Sequence, residues 1–240
     1  MKKLATMILL TGITAGVISC KKGVNGEGPS ITQARPVSSF TAIELGMAGD
    51  VYYTNDTERK VEIIAQQNIL DMLQTYVSGN KLVIKFNGNY DYRTSSDIRI
   101  NISAPSVNYF EVTTSGSIYC SNAFQPASLF LKSSGSGSIK LQNVITGNIE
   151  AISTTSGSIS ATGGLALSEN LKTSGSGTID LVSINAKSVT AKTSGSGNIK
   201  VKVSDHLHAT VEGSGSIYFS GFPEVSSHVL GSGHLVHYNF

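Results

Sequence analysis

A short phrase, Ser-Gly-x-(Ile/Leu), repeats along the second half of this 240-residue chain. Its seven copies follow one another at intervals of 18 to 21 residues, and their glycines are Gly116, Gly137, Gly157, Gly177, Gly197, Gly215 and Gly233. An interval of about 20 residues is short for a helix pair and suits one coil of a β-solenoid. The repeat therefore predicts an all-β fold, a parallel β-helix or solenoid with coils of about 20 residues, with repeats from about residue 111 to 240.

Residues that follow each phrase glycine alternate in polarity as in a β-strand. In Ile179-Asp180-Leu181, for example, two apolar residues flank a polar one, and most other copies share this pattern. Stacked coils turn such positions into apolar columns inside a core. We expect the phrase glycines to form structural turns with positive φ, a conformation that other residues adopt only at a cost. An irregular β-sandwich or prism is the alternative fold.

The section from residue 35 to about 110 lacks the phrase but is also β-rich. Alternating and β-branched segments predict five strands, Thr41–Leu45, Val51–Thr54, Lys60–Ala65, Leu82–Phe86 and Asp97–Ile102. Asn68–Thr75 is a candidate short helix with Asn68 as its N-cap, and Gly88–Ser96 is a candidate exposed loop. Because no linker separates this section from the repeats, we expect it to pack on the same body, as a single domain over 35–240.

The N-terminus has the pattern of a secretion signal. A basic Met1-Lys2-Lys3 precedes an apolar stretch over 4–18, which is shorter than the roughly 20 residues that span a bilayer. The stretch ends in Val17-Ile18-Ser19-Cys20, which resembles a bacterial lipobox and implies removal of residues 1–19 and lipidation of Cys20. Lys21 then favours the outer membrane, with the periplasmic or surface face left open. Residues 20–34, rich in glycine, are predicted to form a flexible tether.

The repeated Ser-Gly-Ser-Gly-x-Ile phrases, together with Phe40-x-x-Ile43, Gly49-Asp50-Val51 and a strand ending in Ala104-Pro105, carry a resemblance to a known family. The chain resembles the putative auto-transporter adhesin head GIN domain family of bacterial envelope proteins over about residues 35 to 225. The resemblance implies an all-β, β-helix-like envelope protein and a role in adhesion. The lipid on Cys20, rather than a membrane barrel, would anchor it.

Charge and residue chemistry exclude several classes of function. The net charge of +2 falls to zero without Lys2 and Lys3, so the chain lacks the basic footprint of a nucleic-acid-binding protein. The acidic residues of the repeats are scattered, and Asp180 with Lys200, one coil apart, is expected to be a surface ion pair. His206-x-His208 is the best constellation for a metal, but exposed polar residues at a solenoid end are the simpler interpretation. Catalytic residues, metals and cofactors are not expected.

Tyrosines provide the candidate contact surface. Tyr90 and Tyr92, in a polar segment, are the favoured contact residues, and Tyr52, Tyr53 and Tyr119 are further candidates. We therefore expect a non-enzymatic envelope lipoprotein that displays a rigid solenoid to a glycan or to an extracellular or envelope protein. The alternatives are a polysaccharide lyase or hydrolase on a β-helix, and a purely structural or self-associating envelope element.

Overall fold

The computed structural model describes residues 22–88, 90–93 and 97–238, and most of these residues form β-strands. In chain order the elements are β1 (Lys22–Asn25), β2 (Ser30–Ala34), β3 (Ala42–Gly46), β4 (Asp50–Asn55), β5 (Lys60–Gln66), α1 (Gln67–Leu70), β6 (Leu73–Ser78), β7 (Lys81–Phe86), β8 (Tyr90–Arg93), β9 (Arg99–Ala104), β10 (Tyr109–Val112), β11 (Ser117–Cys120), β12 (Ser128–Ser133), β13 (Ser138–Leu141), β14 (Val144–Ser153), β15 (Ser158–Ala161), β16 (Gly164–Thr173), β17 (Ile179–Thr193), β18 (Ile199–Val211), β19 (Ile217–Ser220), β20 (Glu224–Val229) and β21 (Leu235–His237). Among the described residues, no helix has the length and hydrophobicity to cross a membrane.

Parallel ladders connect each coil to the next. One ladder joins β10, β12, β14, β16, the second half of β17, β18 and β20. The other joins β11, β13, β15, the first residues of β17 and β18, then β19 and β21. The predicted β-solenoid with coils of about 20 residues is therefore confirmed, and it makes about six turns.

The phrase isoleucines form the column that holds the core together. Ile118 pairs with Ile139, which pairs with Ile159, and the series continues to Ile179, Ile199 and Ile217. Each of these six side chains is fully buried. Burying an isoleucine stabilises a fold by roughly 1.5–3 kcal/mol, so this column contributes substantially to the apolar driving force beside the other buried residues of the core. Cys120, two residues after Ile118, is a buried free thiol, as expected of a small core residue.

The phrase glycines stack as predicted, but the reason given for glycine is wrong. None of the seven has a positive φ. A Cβ at any of them would lie closer than 3.0 Å to a backbone carbonyl oxygen of the coil before, such as that of Gly116 for Gly137. Glycine is required because the turns of successive coils approach too closely for a side chain, not because the chain turns through the left-handed region.

Small hydroxyl side chains complete these turns from inside. The Oγ of Ser153 donates to the carbonyl oxygen of Gly157 at 2.9 Å, and the Oγ1 of Thr193 donates to that of Gly197 at 2.8 Å. Both hydroxyls are buried, and a buried polar group is stable only when it is hydrogen-bonded. The serine and threonine content of the repeats therefore reflects turn structure rather than a flexible linker.

The N-terminal section extends the same ladders and forms the N-terminal end of the solenoid. β3 and β4 continue the two ladders, β7 and β9 form the next layer, and β5, β6 and β2 add antiparallel strands around it. The predicted helix is only one turn, Gln67–Leu70, because the following residues pair with β7 as β6. Asn68 is not its N-cap: its side chain bonds to the backbone of Asn25 and Glu27.

The predicted flexible tether over 20–34 and the exposed loop over 88–96 both contain strands. Ser30–Ala34 pairs antiparallel with β5, and Lys22–Asn25 pairs with Tyr90–Arg93. These edge strands depend on partners about 30 and 70 residues away, so no local pattern indicates them. The ordered body therefore begins before residue 35.

Candidate functional site

The residues predicted to contact a ligand are only partly described. Cys20 lies outside the described residues. The backbone of Tyr90 and Tyr92 lies in β8, but their side chains are outside the described residues. Tyr53, a further candidate, is fully buried, and its hydroxyl donates to the carbonyl oxygen of Ala104 at 2.9 Å. Tyr53 is therefore a core residue and not a contact residue.

Tyr52 and Tyr119 lie on the outer face, where they stack on each other. Their ring centroids are 5.1 Å apart and nearly parallel. The guanidinium of Arg99 lies 3.9 Å from the Tyr52 ring centre, and the Nζ of Lys140 lies 5.1 Å from that of Tyr119. Arg99 comes from β9, which stacks on the strand of Tyr52, and Lys140 comes from β13, which stacks on the strand of Tyr119. The outward faces of both rings are therefore covered. The pair therefore stabilises coil stacking and leaves no ring face for a sugar.

A second stack, which the sequence analysis missed, joins Tyr109 to Phe130. The rings are 4.8 Å apart at an angle of 8°. Beside them the carboxylate of Glu111 accepts bonds from Lys81, Lys132 and the Tyr109 hydroxyl, all within 2.9 Å. Burial raises the pKa of Glu111, but these three donors outweigh burial and lower it to about 2. The network fixes the Tyr109 ring, and hence the position of Phe130.

A furrow runs along one flank of the solenoid, next to this stack. Four neighbouring hollows of about 240, 260, 620 and 290 Å³ follow one another along this flank, and each shares at least one lining residue with the next. We call this furrow the side groove, and its successive coils contribute Asn108, Gln125, Ile145, Leu165, Asn185 and Phe222. From Gln125 to Phe222 it crosses five coil-to-coil steps, about 24 Å at the usual strand spacing.

The middle of the side groove is apolar and open to solvent. Ile145, Leu165 and Leu167 are exposed by 43%, 51% and 59%. Each coil also has a short third side, which includes the first residues of β14 and of β16. There Ile145 pairs with Leu165, and both side chains point outward. Exposed aliphatic side chains that lie next to one another are typical of interaction surfaces. Their 20-residue spacing is a sequence signal, but it lies outside the repeated phrase.

The N-terminal end of the side groove is polar. Since Tyr109 covers one face of the Phe130 ring, the other face is directed toward Glu150 in the next coil. Asn108 and Asn148 line the same hollow. Neighbours in the adjacent coils thus flank both faces of Phe130, and the partly exposed ring lines a hollow whose amides and carboxylate can bind the hydroxyl groups of a sugar. Adjacent Ser106 has a φ of 61°, which is uncommon for a residue other than glycine.

The remaining candidates from the sequence have ordinary structural roles. Asp180 and Lys200 form the predicted ion pair, 3.1 Å apart and partly exposed, which contributes little to stability. His206 and His208 are exposed on β18, and the Nδ1 of His206 lies 3.4 Å from Glu224. Within the described part of the chain, no three histidine, cysteine or carboxylate side chains are grouped closely enough to hold a metal ion.

Solved structures share this architecture. A putative adhesin from Bacteroides fragilis is 26% identical, with a TM-score of 0.84, and the match covers 89% of this chain and 99% of that one. A putative adhesin from Parabacteroides merdae is 18% identical (TM-score 0.73; 91% and 100% covered). A putative lipid binding protein from Parabacteroides distasonis is 22% identical (TM-score 0.71; 90% and 99% covered). The last two show the fold alone.

Sequence comparison identifies the family. No curated protein is similar enough to this chain to count as a match. The family model described as "Putative auto-transporter adhesin, head GIN domain" matches residues 39–223, which include both ladders up to β19 and the whole side groove up to Phe222. The resemblance found in the repeated phrases is therefore confirmed, and the chain belongs to the family described as putative auto-transporter adhesin, head GIN domain.

Proposed function

We propose that this protein is a non-enzymatic binding module of the cell envelope that holds an extended, apolar segment of a partner protein in the side groove. The observation that carries the proposal is the row of half-exposed aliphatic side chains, Ile145, Leu165 and Leu167, on a rigid solenoid. Membership of an adhesin family supports an envelope or surface location and a binding role. A groove about 24 Å long accommodates roughly seven residues of extended chain.

A second candidate, a glycan, is favoured by the polar end of the groove. There, one face of Phe130 is turned toward Glu150, with Asn108 and Asn148 beside it. A glycan would bond to the amides and the carboxylate and would contact the part of the Phe130 ring that lines the hollow. The two candidates use different residues, so mutations distinguish them.

The enzyme alternative receives less support from the groove. Carbohydrate-active β-helices need clustered carboxylates for proton transfer or for binding Ca²⁺. Among the described residues that line the side groove, Glu150 is the one carboxylate. Other acidic side chains are engaged elsewhere: Glu111 with two lysines, and Glu212 with Lys192. This dispersal supports a binding role.

The binding proposal is tested with a chain starting at Lys22, which retains every described strand. The chain is assayed for direct binding to a panel of extracellular-matrix and envelope proteins and of glycans. Leu165→Asp is expected to weaken binding of a protein at least about tenfold, because it places a charge in the apolar groove. Phe130→Ala is expected to do the same for a glycan. Lys172→Ala, an exposed change on another face, is the control.

Each outcome of this assay has a meaning. Protein binding that Leu165→Asp abolishes supports the first candidate, and glycan binding that only Phe130→Ala abolishes supports the second. Binding that neither variant changes removes the side groove as the site. A folded chain that binds nothing on the panel favours a purely structural role in the envelope.

We further propose that lipid on Cys20 anchors the protein to the outer membrane. The supporting observation is the lipobox-like Val17-Ile18-Ser19-Cys20 after an apolar stretch, followed by Lys21. Expressed in a bacterium with labelled fatty acid, the full chain is expected to carry label and to fractionate with outer membranes. Cys20→Ala is expected to lose the label, whereas Cys120→Ala, at the buried thiol, keeps it. Label retained by Cys20→Ala would contradict the proposal.

A further inference from the structure

The two ends of the solenoid differ in how much apolar surface they leave exposed. At the C-terminal end, β20 pairs with β18 on one side, and no described strand lies on its other side. The residues of β20 that continue the buried columns, Val225, Ser227 and Val229, are exposed, the two valines by 41% and 46%. Leu230, which follows, is 67% exposed. Such an edge offers both unpaired backbone groups and apolar surface.

The N-terminal end, by contrast, buries most of its apolar residues, although Ile31 in β2 and Tyr76 in β6 are exposed by 41% and 40%. The helical turn α1 places Ile69 and Leu70 fully inside, and Leu73 at the start of β6 is 5% exposed. A head-to-tail contact would therefore bring the apolar C-terminal end against an end whose apolar residues are mostly buried. Contact between two C-terminal ends joins two exposed apolar surfaces.

Backbone hydrogen bonding decides which groups of β20 face the open edge. The N–H of Leu230 donates to the carbonyl oxygen of Val211 in β18. Since the N–H and C=O of successive strand residues point to alternate sides, the even-numbered residues of β20 face β18. The backbone groups of Val225, Ser227 and Val229 then point toward the open edge.

The edge formed by these residues is complementary to a second copy of itself. In an antiparallel pair, a two-fold axis at Ser227 places Ser227 opposite Ser227, and Val225 opposite Val229 of the second copy. Each of these is a pair in which both residues exchange N–H···O=C bonds, and their side chains share the core-facing side. A shift by one residue would set core-facing residues opposite outward ones such as Ser226.

We propose that two copies of this protein associate through their C-terminal ends, with β20 pairing antiparallel to β20 about Ser227. The pairing converts two open edges into the centre of one continuous sheet. It covers Val225 and Val229 of both copies. The two-fold symmetry closes the assembly as a dimer rather than a fibre.

Cysteine cross-linking tests the register of this pairing. In hydrogen-bonded antiparallel pairs the Cα atoms are about 5.5 Å apart, which a disulfide spans. In the chain starting at Lys22, Ser227→Cys is expected to form a covalent dimer under mild oxidation. The matched variant, Ser226→Cys, lies opposite His228 of the second copy and is expected to cross-link about tenfold more slowly or less. Equal cross-linking of the two variants, or none in Ser227→Cys, would overturn the proposal.

Sedimentation velocity tests the association without a cross-link. The chain starting at Lys22 is expected to show a dimer whose fraction rises with protein concentration. Ser227→Pro removes an N–H that faces only the open edge, so it is expected to abolish the dimer and keep the thermal midpoint of the monomer. Thr190→Lys, an exposed change two coils away, should leave the dimer intact. A wild-type chain that stays monomeric at all concentrations, or one that forms open fibres, excludes the two-fold pairing.

Discussion

Replacing Glu169 with leucine is expected to stabilise the protein, most strongly at alkaline pH. Glu169 lies in a core column between Ile149 and Val189 and is 2% exposed. Neither carboxylate oxygen has a hydrogen-bond partner in the structure, and burial raises the pKa of this group to about 8. Glu169 is therefore an ionisable residue in a column of aliphatic side chains, and its ionisation opposes folding.

The sign of the pH dependence follows from where the proton is held. In the unfolded chain the carboxyl loses its proton near the ordinary value of 4.5, whereas in the folded chain it keeps it up to about 8. Between these values the folded state binds more protons, so the free energy of unfolding falls as pH rises. One pH unit corresponds to about 1.4 kcal/mol, so the loss amounts to several kcal/mol.

Denaturant unfolding between about pH 5 and pH 9 measures this effect. We expect Glu169→Leu to remove the decline and to gain about 3 kcal/mol or more at the alkaline end. Glu169→Gln should also remove the decline but gain less, because an amide in the same column still lacks partners. Glu150→Gln, one coil away and partly exposed, is the control, and this variant should keep the decline of the free energy of unfolding with pH. A wild-type profile that is flat over this range would contradict the burial argument.

Gly137→Ala is expected to be among the most destabilising single changes in the chain. Its Cβ would overlap the carbonyl oxygen of Gly116 and would also lie 2.7 Å from a Cγ of Val112. The backbone of one coil would have to move away from the next, which breaks the regular spacing of both ladders. We expect a loss of about 3 kcal/mol or more in the free energy of unfolding.

Gly163→Ala is the matched control for this change. Gly163 also lies in a turn between coils, has no positive φ, and its Cβ would meet no atom closer than 3.9 Å. The same substitution there should change stability by less than about 0.5 kcal/mol. The comparison isolates the close approach of the coils from the general effect of replacing glycine. Equal effects of the two substitutions would mean that coil spacing does not decide the need for glycine.

The sequence predicts the solenoid well because its signal repeats. Each coil must place an isoleucine above an isoleucine and a glycine above a carbonyl, so period and residue type are visible at once. The reason for glycine was wrong because a close approach between coils and a positive φ select the same residue. Glu169 shows the same limit of prediction from sequence. It lies 20 residues after Ile149, but the apolar pattern at these positions is weak, so the sequence does not show that Glu169 is buried.

The site was harder to predict than the fold. The side groove is formed by outward-facing residues such as Ile145 and Leu165, which the core does not constrain. The sequence instead favours tyrosines as contact residues, but Tyr53 lies in the core, and Tyr52 and Tyr119 cover each other. Residue type indicates what a side chain can bind, but only the stacking of coils decides which face of it is free.

The antiparallel pairing of β2 with β5 has a mechanical consequence. Five residue pairs, from Ser30–Gln66 to Ala34–Glu62, lie side by side along the two strands. Tension that enters through the chain ahead of Ser30 and runs along the strand stretches these pairs in shear, so they must rupture together. The bonds between solenoid coils, by contrast, would break in succession under a pull along the solenoid axis. If the lipid proposed on Cys20 holds the protein, the fold is reinforced where the load would enter.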